Sequence, residues 1–283
     1  MANTCMWMRL SDSDETKGIP DPSGCHFDGP CAILVNMRLP AHDPLAIANH
    51  LQQFGWAIAA DVLDAQSVID LKAAVVATCP SNNDTSADLA AIERAPAMLN
   101  LLRDQRYLAI MRACVGTTDL VVHRSAALRR QPGTSGIHWH SDYDGYGDDP
   151  TTPNARLNRG EWPNGTWFYL DGCRPERGGL AVMTGSHVPG WKPPETWSFD
   201  LPGVVSINAE PGDFIMFSAR TWHAAHPLTG MVRHSLGFAM RPAAITIPTP
   251  EKTPAATEAF LASPQADVAP FFRGYAGWLP DPR

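Results

Sequence analysis

The sequence predicts an α+β chain with a mainly β core: a two-sheet jelly roll with helices packed against its outside. Three observations carry that prediction. The 26 prolines and 22 glycines are spread along all 283 residues, a usage that suits many short strands joined by tight turns rather than long helices. Apolar residues recur at helical spacing before Gly116, and in short runs bounded by Gly, Pro, Asn and Asp after it. The length lies within what one sandwich or barrel occupies alone. With no repeat and no composition break, residues 1–283 read as a single domain.

Residues 1–42 lack periodicity and are expected to form an irregular arm. DPLAIANHLQQFG then reads as a helix, with Asp43 as N-cap, Pro44 in the first turn and Gly55 as the stop. GWAIAADVL reads as a strand. DAQSVIDLKAAVVATC reads as a second helix, because Val68, Leu71, Ala74 and Val75 share one face. Two further helical stretches are expected around 86–102 and 106–115, completing a helical part over 43–116. Strands are expected at 119–130, 165–171, 180–184, 204–208, 213–219 and 233–240, inside a jelly-roll core spanning 119–241. The extension 242–283 holds a short helix (PAATEAFLAS) and the segment PFFRGYAGWL, apolar enough to pack back onto the body.

Composition excludes several classes. Lys and Arg total 22 against 29 Asp and Glu, for a net charge of −7. No basic cluster occurs, so no nucleic-acid partner is expected. Cys5, Cys25, Cys31, Cys79, Cys114 and Cys173 are irregularly spaced without a CxxC pair. They read as reduced thiols of a cytoplasmic protein rather than a disulfide or zinc framework. The N-terminal MANTCMWMRLSDSDE has neither the basic nor the apolar region of a signal peptide, and no apolar run reaches the ~18 residues of a membrane span. A cytoplasmic location with no membrane partner is the expectation.

The chemistry concentrates in Gly136-Ile137-His138-Trp139-His140-Ser141-Asp142-Tyr143-Asp144. Side chains two apart on a strand point to one face with Cα atoms roughly 6.6–7 Å apart, so His140 and Asp142 can converge on one ion. A lone H-x-D is weak. Further along, a Glu210-Pro211-Gly212-Asp213 turn precedes a strand and His223, and ten residues later stands Arg233, sharing a face with Ser235. An arginine fork binds a carboxylate bidentately and never loses its charge.

This ordered set resembles the phytanoyl-CoA dioxygenase family of iron(II)- and 2-oxoglutarate-dependent oxygenases. The matching pieces are Trp139-His140-Ser141-Asp142, the segment from Gly178-Gly179 to Gly185-Ser186-His187, the Gly212-Asp213…Phe217…His223 unit, and Arg233-x-Ser235. They cover roughly 119–241. The resemblance implies a double-stranded β-helix (cupin-like) core, with His140, Asp142 and His223 as iron ligands and as the catalytic set. It implies that Arg233 with Ser235 holds the distal carboxylate of 2-oxoglutarate. It also implies Trp167 as a co-substrate-lining residue and Gln131 as a polar co-substrate contact. Iron(II), 2-oxoglutarate and O₂ are the implied cofactor and co-substrates, with ascorbate as an accessory reductant. Two neutral imidazoles and one carboxylate occupy one face of iron(II) and leave three positions open for co-substrates. Where related halogenases carry a small residue, Asp142 favours oxygenation.

The expected activity is therefore oxidation, foremost hydroxylation, of a C–H bond in a small organic molecule, with release of succinate and CO₂. A biosynthetic tailoring step is the preferred setting. Two alternatives stand beside it: a cupin-type metalloenzyme using His138 and His140 as an H-x-H pair without a keto acid, and a non-catalytic jelly-roll binding protein. The stretch 143–166 is longer than in most relatives and is read as a substrate lid. Among the other histidines, His187 reads as a loop hydrogen-bonding residue, and His226 and His234 read as structural. Trp191 and Trp197 are candidates for a pocket mouth.

Overall fold

The computed structural model describes residues 37–80, 84–142, 163–245, 253–263 and 265–277. The chain enters through β1 (Arg38–Pro40), helix α1 (Pro44–Phe54), β2 (Trp56–Ala60) and helix α2 (Ala65–Thr78). Asp43 caps α1 by accepting the Ala46 N–H at 3.0 Å, and Asp64 caps α2 through Ser67 N at 2.8 Å. Gly55 ends α1 in the left-handed region (φ 85°), as the sequence led one to expect.

The long helix expected over 86–102 does not form. In its place stand β3 (Thr85–Asp88), the one-turn helix α3 (Ala91–Arg94) and a 3₁₀ helix (Pro96–Leu102). Pro96 cannot continue α3, and it holds Ala95 in an extended conformation (φ −120°, ψ 83°). Asp88 also competes with the helix, accepting from Ala90 N at 3.0 Å and from Arg94 Nε at 2.7 Å. Helix α4 (Gln105–Val115) follows, capped by Asp104.

The remaining strands are β4 (Leu120–Arg130), β5 (Ile137–His140), β6 (Pro163–Tyr169), β7 (Leu180–Met183), β8 (Val204–Ser206), β9 (Phe214–Ser218), β10 (His223–Ala225) and β11 (Arg233–Pro242). Among the described residues they form a seven-stranded sheet in the order β1-β2-β9-β6-β11-β4-β3 and a four-stranded sheet in the order β5-β10-β7-β8. Sequence reading missed β1 and β10, each of three residues and too short to show a period.

Alternation along the strands builds two cores. Ala57, Phe168, Phe214, Met216, Leu236 and Phe238 face the helices and join Ile47, Leu51, Leu71 and Tyr107. Their strand neighbours Trp56, Ile58, Tyr169, Ile215 and Phe217 face the smaller sheet, against Leu180, Val182 and Val205. Helix α5 (Ala255–Leu261) and a 3₁₀ turn (Ala269–Phe272) are the last elements among the described residues, with Phe260 edge-on to Phe272 at 5.0 Å. Phe272 and Tyr275 are buried against the helical core, so PFFRGYAG does pack back.

One polar clamp aligns β11. Asp171, only 8% exposed, accepts from Lys72 Nζ on α2, from His234 N at 2.8 Å and from His234 Nδ1 at 2.9 Å. Burial raises its pKa, but the His234 ring, Lys72 and the His234 N–H together outweigh that and hold the carboxyl at about 2. A folded-state pKa below the ordinary ~3.9 means that the stabilisation is present above that value and is lost as pH falls toward 2. Asp171→Ala is expected to lose about 3 kcal/mol in urea unfolding at neutral pH, the lower end of the cost of breaking a buried pair because Lys72 keeps contact with solvent. The gap from wild type should narrow as pH drops from about 4 to 2. An unchanged urea midpoint would remove the clamp.

Candidate metal centre

The site is assembled where the two sheets face each other. Asp213, 1% exposed, opens β9 by tying together Arg38 (Nε at 2.7 Å), Asp61 N (3.0 Å) and Glu210 N (2.8 Å). Gly212 before it has φ +97°, and a Cβ there would sit 2.6 Å from the Leu63 carbonyl oxygen, so the Gly-Asp pair is required by geometry. After β9 the chain turns through Thr221, whose hydroxyl donates to the Gly55 carbonyl at 2.7 Å. That turn delivers His223 as the first residue of β10.

His223 is the direct antiparallel partner of His140, the last residue of β5. Their ring centroids lie 4.2 Å apart. Asp142 follows two residues beyond His140, and one donor atom each from His140, Asp142 and His223 lies within 4.8 Å of the others. Both imidazoles are oriented in the same way. His140 Nδ1 meets its own strand's His138 carbonyl at 2.8 Å, and His223 Nδ1 meets the Thr221 carbonyl at 2.9 Å. A carbonyl can only accept, so each Nδ1 carries the proton and each Nε2 keeps its lone pair for a metal. Burial lowers the pKa of His223, an effect that Asp142 opposes and His140 reinforces. The neutral, ligand-competent form is the one favoured.

These three side chains open onto a cavity of about 250 Å³ that also holds Trp167, Arg233 and Ser235. Arg233 is 3% exposed and lies 5.0 Å over the Tyr169 ring. Its Nη1 donates to the Gly178 carbonyl, while its buried Nε has no partner among the described residues. The Gly178-Gly179 segment thus serves to bring a carbonyl onto this arginine. Arg130 stands directly opposite on β4, 2% exposed, with its Nη2 on the Ser135 carbonyl and its Nη1 likewise unpartnered. Two buried like charges side by side, each with an unsatisfied N–H, make an environment that an anion would relieve. Trp167 covers Gly237, where a Cβ would come within 2.9 Å of the indole, so glycine leaves room for the ring.

Some expectations are not met. Gln131 does not line the cavity: it lies past the end of β4, its N–H bonded to the Asp84 carbonyl at 2.9 Å. His138 is exposed and offers the site its carbonyl rather than its ring, so the H-x-H pair of a cupin does not assemble. Trp191 and Trp197 are absent from the cavity wall as well. Asp144 and residues 143–162 of the expected lid lie outside the described residues. His187 (Nε2 to the Gln52 carbonyl, 2.9 Å), His226 (Nε2 to Ser206 Oγ, 3.0 Å) and His234 make the structural contacts read for them.

Sequence reading also missed Arg124, which lines the cavity with its Nη2 3.9 Å from Asp142 Oδ2. Val122 faces the helices, so strict alternation would put Arg124 there too. The ladder slips by one residue here, with Met240 opposite Val122 but Ala239 opposite Arg124. That bulge turns Arg124 inward. Burial lowers its pKa, against the pull of Asp142.

A family model described as phytanoyl-CoA dioxygenase (PhyH) matches residues 51–235. No curated protein sequence matches the chain. Among solved structures, the epimerase SnoN in complex with Fe3+, alpha-ketoglutarate and nogalamycin RO superposes with a TM-score of 0.56 at 19% identity, over 71% of this chain and 84% of that one. The alpha-ketoglutarate-dependent carbocyclase SnoK from nogalamycin biosynthesis gives 0.54 at 20% identity, over 74% and 88%. AviO1 from Streptomyces viridochromogenes gives 0.53 at 20% identity, over 74% and 98%. At such identities the likeness is one of fold: a two-sheet, cupin-like core with added helices.

Proposed function

Because the chain belongs to the phytanoyl-CoA dioxygenase family, whose members are iron(II)- and 2-oxoglutarate-dependent enzymes, we propose that His140, Asp142 and His223 hold its iron and that Arg233 with Ser235 holds the distal carboxylate of 2-oxoglutarate. The reaction we assign is oxidation, foremost hydroxylation, of a C–H bond in a small organic molecule. The observation that carries it is the meeting, in one cavity, of two lone-pair imidazoles and a carboxylate with a buried arginine whose Nε has no partner among the described residues.

The donor set fits the group. Two neutral nitrogens and one carboxylate suit iron(II) and leave the cavity side open. Arg233, held by the Gly178 carbonyl and the Tyr169 ring, presents the rest of its fork to a carboxylate. When bound, iron(II) with 2-oxoglutarate and O₂ supplies the oxidising power that removes hydrogen from an unactivated carbon, and 2-oxoglutarate leaves as succinate and CO₂. The protein's residues do the rest. His140 and His223 keep their lone pairs forward, Trp167 and Phe217 line the wall, and Arg124 places a cation beside Asp142 where a polar group of the substrate can be oriented. The small-molecule setting of SnoN and SnoK supports reading the substrate as a natural-product-sized molecule and the reaction as a tailoring step.

Chelation tests the reading. EDTA is expected to abolish succinate formation from 2-oxoglutarate, and iron(II), but not zinc or magnesium, is expected to restore it, because the chemistry needs a redox-active metal. Undiminished turnover in the iron-free protein would end the assignment.

A further inference from the structure

The strand that carries His140 is poorly held by its backbone. Among the described residues β5, four residues long, lies at the edge of the smaller sheet and pairs only with β10 through His223↔His140 and Ala225↔Ile137, with an irregularity between them. β10 is better fixed. It pairs residue for residue with β7, the Trp222 carbonyl just before it accepts from Met183 N at 2.8 Å, and the Trp222 N–H donates to Ser186 Oγ at 2.8 Å. One ligand strand is thus anchored and the other is a short edge, the kind of element that opens locally at low cost.

On the face away from the cavity, a stack of three indoles joins the two. Trp139 immediately precedes His140 and Trp222 immediately precedes His223, so both rings leave the strands on the side opposite the imidazoles. Trp197, from the 184–203 connection between β7 and β8, lies between them. It stacks on Trp139 at 4.7 Å and 14°, and on Trp222 at 4.9 Å and 17°. Phe199 braces the same connection, 5.8 Å from Trp139 and stacked on His226 at 3.8 Å. Trp191 meets the stack only obliquely, at 6.1 and 6.3 Å.

We propose that Trp197 is a positioning residue for the metal centre: by stacking between Trp139 and Trp222 it locks the edge strand β5 onto β10 and so fixes the spacing of His140 and His223. This rests on the reading that those histidines hold the metal. A planar ring is required because both neighbours present parallel faces. An aliphatic side chain of similar bulk would fill the gap without holding the register.

The test uses the enzyme loaded anaerobically with iron(II) and 2-oxoglutarate, reading the rate of iron loss to excess chelator alongside the melting temperature. Trp197→Leu is expected to release iron about tenfold faster, the low end of the affinity loss that follows when groups orienting metal ligands are removed. Trp197→Phe, which keeps a stackable ring, should hold iron as wild type does, and so should Trp191→Leu. Equal release from the Leu and Phe variants, wild-type release from Trp197→Leu, or failure of Trp197→Leu alone to fold would each overturn the proposal. His140→Ala separates the two levels: if it retains iron, the ligand assignment itself is wrong, whatever the tryptophan variants do.

Discussion

Asp142→Ala is expected to purify with only trace iron, while its melting temperature stays close to wild type. Asp142 supplies the only anionic donor in the three-residue cluster. Without it, two neutral imidazoles remain, and Arg124, whose Nη2 lies 3.9 Å from the carboxylate, would leave a cation facing the metal position. Substitutions one shell further out already cost about 10–100-fold in metal affinity, so removing a charged ligand and exposing a like charge should exceed that range. The fold has little reason to respond, because Asp142 lies beyond the end of β5 and is partly exposed. Metal analysis of purified Asp142→Ala beside Asp144→Ala makes the comparison direct. Asp144 was expected on the same strand face, and the assignment has it leave iron in place. Iron retained in Asp142→Ala and lost in Asp144→Ala would reverse the ligand set.

Arg233→Ala should weaken 2-oxoglutarate binding by about 2–5 kcal/mol, the usual cost of truncating one partner of a buried charge pair. That is roughly a 30- to 5,000-fold rise in dissociation constant, readable by calorimetry on the iron-loaded enzyme. Iron content should not move, because the arginine lies on β11 and is not one of the three clustered donors. Arg233→Lys should fall between the two: the charge survives, but the planar fork and its packing on Tyr169 do not. Arg130, directly across the ladder, leaves a buried cation beside the vacated position in either variant, which argues for the lower half of the range. An unmoved titration curve would place the anchor elsewhere and remove the role of Ser235 with it.

The sequence by itself determined the spacing and order of the candidate site residues, to which the family resemblance attached roles, since spacing depends on rules that operate over two to ten residues. H-x-D at the end of a strand, Gly-Asp at a turn that admits no Cβ, and R-x-S on one face are local patterns, and the helix caps at Asp43, Asp64 and Gly55 are equally local. Tertiary structure decided whatever depends on a partner distant in the chain. The 86–102 segment became strand, turn and 3₁₀ helix because β4 offered a ladder and Pro96 blocked the alternative. Arg124 entered the cavity through a one-residue slip against β11 that no composition or periodicity records. Gln131 falls one residue past the end of β4, in a turn whose backbone is held by the Asp84 carbonyl, and does not line the cavity. Trp197 met Trp139 and Trp222 only because β7, β8 and β10 are neighbours in one sheet. Side-chain period and turn chemistry are written into short stretches of chain, whereas bulges, edge positions and ring stacks are properties of pairs of strands that must first find each other.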